Sequence, residues 1–238
     1  MRIKIIITLF FLLSTTIAFS QSTVYVAPNG KVLTEETYQK GKITSLENAR
    51  KNYGSDYELY EKLELVKKTK DSIQYKFKWE FLNKEMLAEK LVTDKLLGTH
   101  FAIKDLNFLS NAAGKKINYE KPTFINFWFT NCIPCIEELA ALNELREKYK
   151  DKVNFIAITF DDKEKVGYFL SKHKFDFIHA INEKKLTDSL GIIGYPKSFL
   201  LDKNQKIQSI EGTMPSIEEK EFYQLQLSLM AEKLNKLR

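Results

Sequence analysis

Between residues 73 and 81 (IQYKFKWEF) apolar and polar side chains alternate without a break, which predicts a strand with one buried and one solvated face. Residues 59–66 read as its hairpin partner, joined through Thr69-Lys70-Asp71-Ser72. The pattern changes further on. Phe124, Ile125, Phe127, Trp128 and Phe129 form a near-continuous apolar run, as in a central strand covered on both sides. After Pro134, Leu139, Leu142, Leu145 and Tyr149 recur at three- and four-residue steps and predict an amphipathic helix. Pro134 suits its first turn, where the missing N–H has no helical partner to lose.

The remaining elements follow by the same rules. Residues 152–160 form a second apolar strand, and Asp161-Asp162 opens a helix carrying Val166, Phe169 and Leu170. Residues 177–181 are a third strand and 183–190 a short helix. Residues 198–201 and 207–210 flank Asp202-Lys203-Asn204-Gln205 as an antiparallel hairpin. Ser216 with Glu219 forms a capping box before a long last helix, with Leu225, Leu229 and Leu234 on its buried face. Strand–helix alternation points to βαβ units and a parallel sheet in an α/β domain. N-terminal to it, residues 23–26 read as a short strand, Pro28-Asn29-Gly30 as a turn, and Asn83 as the cap of a helix over 84–97. A short strand near 101–103 and a polar loop over 111–116 lead into the α/β domain. The chain thus divides into an N-terminal accessory α+β segment (21–97) and a main domain (98–238). An aromatic strand such as 73–81 also suits a peptide-binding edge; packing within a small accessory unit is the plainer reading.

Residues 1–20 carry Arg2 and Lys4, an apolar run from Ile5 to Leu13, and Ala18-Phe19-Ser20, the pattern of a secretory leader cut before Gln21. An uncleaved anchor is the alternative, for which the run is short. The formal charge of +6 is dispersed among interleaved acids, so a solvated lysine-rich surface is favoured over a nucleic-acid interface.

Cys132 and Cys135 are the only cysteines in the chain. In an exported protein, structural disulfides are usually spread along the sequence. A bridge across two intervening residues removes little chain entropy, so this pair is suited to redox chemistry rather than stapling. A thiolate at a helix start is stabilised by unpaired N–H groups and the helix dipole, which lower a cysteine pKa from about 8.5 to roughly 3.5–7.5 in Cys-X-X-Cys sites. Zinc ligation needs a second pair, and His100, His173 and His179 have no ligand spacing to the cysteines.

Asn126-Phe-Trp128-Phe-Thr-Asn-Cys132-Ile-Pro-Cys135-Ile-Glu-Glu138, followed by Gly194-Tyr195-Pro196-Lys-Ser-Phe-Leu-Leu-Asp202, resembles the TlpA/ResA-like family of exported thioredoxin-fold thiol–disulfide oxidoreductases. The resemblance covers about residues 98–238 and includes an αβ insert at roughly 164–181. It implies a central mixed sheet flanked by helices, an exposed nucleophile at Cys132 and a buried resolving thiol at Cys135. It further implies a cis Pro196, and a Tyr195 backbone that pairs with extended substrate. Glu138 falls where that family places an acid that tunes the cysteines; an exposed acid in a helix's first turns is the bland alternative. Asn126 stands where cytoplasmic thioredoxins carry a buried aspartate, and Trp128 is either a wall of the site or core. The implied activity is reduction of disulfides in partner proteins, for example apocytochrome c, with a membrane electron donor upstream and no cofactor, metal or nucleic acid. Disulfide donation or isomerisation, a thiol peroxidase on the same fold, and a non-catalytic interaction module are the alternatives.

Overall fold

The computed structural model describes residues 21–109, 117–214, 216 and 220–237. The leader-like residues 1–20, the loop over 111–116 and Glu219 of the expected capping box lie outside the described residues. The described residues form two compact units, divided between Lys84 and Glu85. The division falls earlier than the 97/98 boundary expected from the sequence.

In the first unit, β1 (Ser22–Val26) pairs antiparallel with β2 (Val32–Thr34), and α1 (Glu35–Tyr53) follows. The hairpin of β3 (Glu58–Lys68) and β4 (Ser72–Leu82) completes a sheet in the order β2-β1-β4-β3. The alternating strand 73–81 is therefore interior, and the peptide-binding-edge reading falls. Its side chains Phe77 and Trp79 meet Tyr25 and Tyr38, with the two tyrosine rings stacked 3.7 Å apart. α1 had no sequence counterpart. Among its residues only Tyr38 and Ala49 are buried, too few to write a helical stripe.

The second unit opens with α2 (Lys84–Thr93), continued by a 3-10 turn over Asp94–Leu96. The strand expected near 101–103 is absent. His100 makes a single bridge to Lys206, Ile103–Asp105 is a 3-10 turn, and Ile103 with the preceding Phe101 plugs the core. The central strand β5 (Thr123–Phe127) is buried at every position. It pairs in parallel with β6 (Asn154–Ile158), which pairs in parallel with β7 (Ile178–Ala180). On its other side β5 pairs antiparallel with β8 (Lys197–Leu201), the first strand of a hairpin with β9 (Ile207–Glu211). The result is a mixed sheet, β7-β6-β5-β8-β9.

Helices connect these strands. α3 (Ile133–Glu137) and α4 (Leu139–Tyr149) link β5 to β6, α5 (Lys163–Lys172) links β6 to β7, and α6 (Lys184–Ser189) precedes β8. α7 (Lys220–Lys236) closes the chain. One face of the sheet, with Phe124 and Phe155, packs on Leu142 and Leu145 of α4 and on Met230 and Leu234 of α7. The other, with Ile125, Phe127, Ile156 and Phe199, is covered by Phe101, Ile103 and Ile192. The buried stripe of α7 is Tyr223, Leu227, Met230, Ala231 and Leu234, while Leu225 and Leu229 are exposed, contrary to expectation. Leucines every four or five residues drift around a helix of 3.6 residues per turn. Among the described residues no helix is long and apolar enough to cross a membrane.

Candidate redox site

The site begins where β5 ends. Trp128 N–H still reaches Ile158 O at 3.0 Å, and the chain then turns, with Cys132 N–H donating to Phe129 O at 3.1 Å. The buried carboxylate of Asp161, at the end of β6, accepts from Thr130 N–H at 2.7 Å and fixes the turn. Its neighbour Asp162 caps α5 through Lys165 N–H at 2.9 Å, so the two aspartates read as one helix opener hold different things.

Cys132 is the N-cap of α3, and its Sγ accepts from Cys135 N–H at 3.2 Å. Cys132 O accepts from Ile136 N–H at 3.1 Å. The cysteines are joined as a disulfide, with Cα atoms 5.2 Å apart. Sγ of Cys132 thus lies against an amide of the first helical turn, the arrangement that stabilises a thiolate once the bond is reduced. In this oxidised form Cys132 is 3% exposed and Cys135 2%, so the expected exposed nucleophile is covered. The disulfide fills the start of the turn, and the neighbouring Ile133 and Pro134 take the exposed positions instead.

The sheet register brings a second loop to this end of β5. Lys197 of β8 pairs with Phe127, and the residue before it is Pro196, whose bond to Tyr195 is cis. The Tyr195 ring meets Phe129 edge-on at 5.4 Å and Phe160 at 5.8 Å. A group unmarked in the sequence holds this loop. Glu89 of α2, buried, accepts from Ile193 N–H at 3.3 Å and Gly194 N–H at 3.2 Å, and pairs with Lys197 Nζ at 3.2 Å. Periodicity marks residue 89 only as one turn of α2, so nothing in the sequence shows that this acid turns inward.

Behind the cysteines lies a polar pair in an apolar setting. Glu138, at the junction of α3 and α4, is 0% exposed, so the exposed-acid alternative fails. Its Oε1 accepts from Asn126 Nδ2 at 2.9 Å and its Oε2 from Met214 N–H at 2.8 Å. Asn126 also donates to Ser198 Oγ at 3.2 Å, while its Oδ1 is buried with no partner among the described residues. Burial pushes Glu138 up to about 7 against the pull of its two hydrogen bonds, so it exchanges a proton near neutrality. The helix expected as one piece is broken at this residue, φ −82° and ψ −6°. Trp128 is core: it packs on Phe169 at 4.7 Å and Phe175 at 5.3 Å, with its Nε1 buried and unpaired among the described residues. Of the residues singled out in the sequence, the structure gathers Cys132, Cys135, Pro196 and Tyr195 at one end of the sheet. It places Glu138 and Asn126 beneath the cysteine helix.

A helix-capping disulfide at the end of a central strand, beside a cis-proline loop on a mixed five-stranded sheet, defines a thioredoxin-like thiol–disulfide oxidoreductase. The Redoxin family profile matches residues 107–225. Over 123 residues the chain is 32% identical to the thioredoxin-like protein YneN of Bacillus subtilis, covering 48% of this chain and 69% of YneN. It is 38% identical over 121 residues to the thiol–disulfide oxidoreductase ResA of Bacillus cereus, covering 48% of this chain and 66% of ResA, a little under two thirds of that protein. The crystal structure of StoA from Bacillus subtilis aligns with a TM-score of 0.41 at 24% identity, over 51% of this chain and 98% of that one. The chain belongs to the Redoxin family, in its TlpA/ResA-like group of thioredoxin-fold thiol–disulfide oxidoreductases.

Proposed function

We propose that this protein acts outside the cytoplasm as a reductase of disulfides in partner proteins. The observation that carries the reading is the Cys132–Cys135 pair at the first turn of α3, with the Tyr195–Pro196 loop at the same end of the sheet. The reduced protein's Cys132 thiolate attacks a partner disulfide, forming a mixed disulfide and releasing one partner thiolate. Cys135 then loses its proton and attacks Sγ of Cys132, releasing the second partner thiol. The partner gains two electrons and this chain returns to the disulfide. Glu138, one turn beyond Cys135 and half-ionised near neutral pH, is the acceptor for that proton. The Tyr195 backbone holds the partner extended. The leader-like residues 1–20 support export, and export calls for a membrane protein that returns the electrons. Cysteines of apocytochrome c, which must be thiols before haem attachment, are the substrates toward which the ResA-like relationship leans.

The reduction potential of the pair, set by equilibration in thiol buffers, tests the direction. A value near the thioredoxin end, about −270 mV, fits a reductase with its own electron supply. A value near the DsbA end, about −120 mV, makes the protein a disulfide donor and overturns the reading. Cys135→Ser removes the resolving thiol and is expected to accumulate partners bound to Cys132 on non-reducing gels. Finding no such species in the native compartment counts against a protein substrate.

A further inference from the structure

Beside the cysteine turn lies an open groove of about 340 Å³ whose walls are Thr130 and Asn131 on one side and Lys165, Tyr168, Lys172 and His173 of α5 and its end on the other. Asn131 is exposed and immediately precedes Cys132, so the groove and the disulfide share a rim. Its charge is one-sided. Among the described residues no carboxylate lines it, and its two ammonium groups are weakly engaged. Lys165, with a side chain 62% exposed, is 3.8 Å from Asp161, whose other oxygen is taken by Thr130 N–H. Lys172 lies over the Tyr168 ring, 5.7 Å from its centre. Tyr168 itself is 71% exposed, a large apolar surface between two cations.

Two exposed cations beside an open ring, Lys165 only loosely paired with Asp161, suit an extended peptide bearing Asp or Glu, its carboxylates on the ammonium groups and an apolar side chain on the ring. An extended chain advances about 3.3–3.6 Å per residue, so residues a few places from the partner's reacting cysteine reach the groove. We propose that this groove selects partner proteins with acidic residues flanking the target disulfide. The proposal rests on the reductase reading, whose substrate class it narrows.

The test uses the full chain, reduced beforehand and freed of reductant, in single-turnover reaction with two peptides of identical length, each with one internal disulfide. One carries Glu at the flanking positions and the other Lys. The acidic peptide is expected to react faster on the order of tenfold at low salt, with the ratio collapsing at high salt. In a K165E/K172E double variant the ratio is expected to invert. Because the readout is a ratio within one protein, loss of intrinsic thiol reactivity cannot imitate it. Equal rates, or a preference that survives the double substitution, overturn the groove's role and leave the reductase reading standing. Failure of both peptides, while neutral dithiodipyridine is reduced, overturns the reductase reading and the groove with it.

Discussion

Asn126 and Glu138 join through a single hydrogen bond of 2.9 Å, and that bond ties the central strand to the helix carrying the cysteines. The amide lies on the helix-facing side of β5, on the face that also carries Phe124. The carboxyl enters from the break between α3 and α4.

The pair makes stability depend on pH with a definite sign. Glu138 has a folded pKa of about 7 against an ordinary value of 4.5. Its contribution is full below about 4.5 and is lost as pH rises through about 7, because the buried charge then has to be carried. The shift corresponds to about 3 kcal/mol at most. Denaturant unfolding of the disulfide form is expected to show stability falling across that window. Glu138→Gln is expected to remove the slope, since Asn126 can turn its unpaired Oδ1 toward the new amide. An unchanged slope assigns the effect to another group.

Asn126→Asp places a second carboxyl against Glu138. Two buried acids at this distance cannot both ionise, so they share a proton and titrate as a pair, the upper step above that of Glu138 alone. Unfolding midpoints of the oxidised variant are expected to fall more steeply with pH than those of the unaltered chain. Carbonyl-stretch infrared spectroscopy is expected to retain a protonated carboxyl above neutral pH.

Glu89→Ala strips three donors of their acceptor and leaves the Lys197 ammonium, mostly buried, without its carboxylate. Breaking such a pair costs about 3–5 kcal/mol. Glu89→Gln keeps an acceptor for the loop amides and is expected to lose less. Thermal unfolding measures the first effect. Thiol exchange with a peptide disulfide is expected to slow in the alanine variant more than exchange with a small disulfide, if the loop holds the peptide as proposed, since it has then lost its anchor.

Gly191 is bound by two constraints. Its φ of +67° is left-handed, and a Cβ there meets Val92 Cγ1 at 2.6 Å. Val92 is β-branched and cannot swing clear easily. Gly191→Ala is expected to destabilise the chain by more than the roughly 1 kcal/mol of the backbone conformation alone. Adding Val92→Ala is expected to recover the steric part and leave the backbone part, a coupling that a double-mutant cycle measures.

Much of the two sheets was legible because their strands are buried in simple patterns: the apolar run that starts in β5 with Phe124, Ile125 and Phe127, alternation in β4, and Asp162 where a cap belongs. The cysteine turn was legible for a chemical reason, since two cysteines three apart beside Pro134 have few uses. What escaped notice was set by tertiary contact. α1 hides two residues out of a long polar helix, and α7 buries Tyr223, Leu227 and Met230 rather than its conspicuous leucines. Phe101 and Ile103 look like a strand and act as a plug. Glu89 and Met214 N–H, the groups that hold the cis-proline loop and Glu138, come from segments far away in sequence. No local pattern announces them.

The Glu89 clamp also changes where the redox domain should be cut. A fragment trimmed to the family profile, or started at Gly98, leaves Glu89 behind and strands Lys197 and the loop amides. The profile's end at residue 225 likewise discards Leu227, Met230 and Leu234, which floor the core under α4. The smallest excisable redox domain is therefore wider than the stretch by which its kinship is recognised, beginning at Glu85 and running through α7.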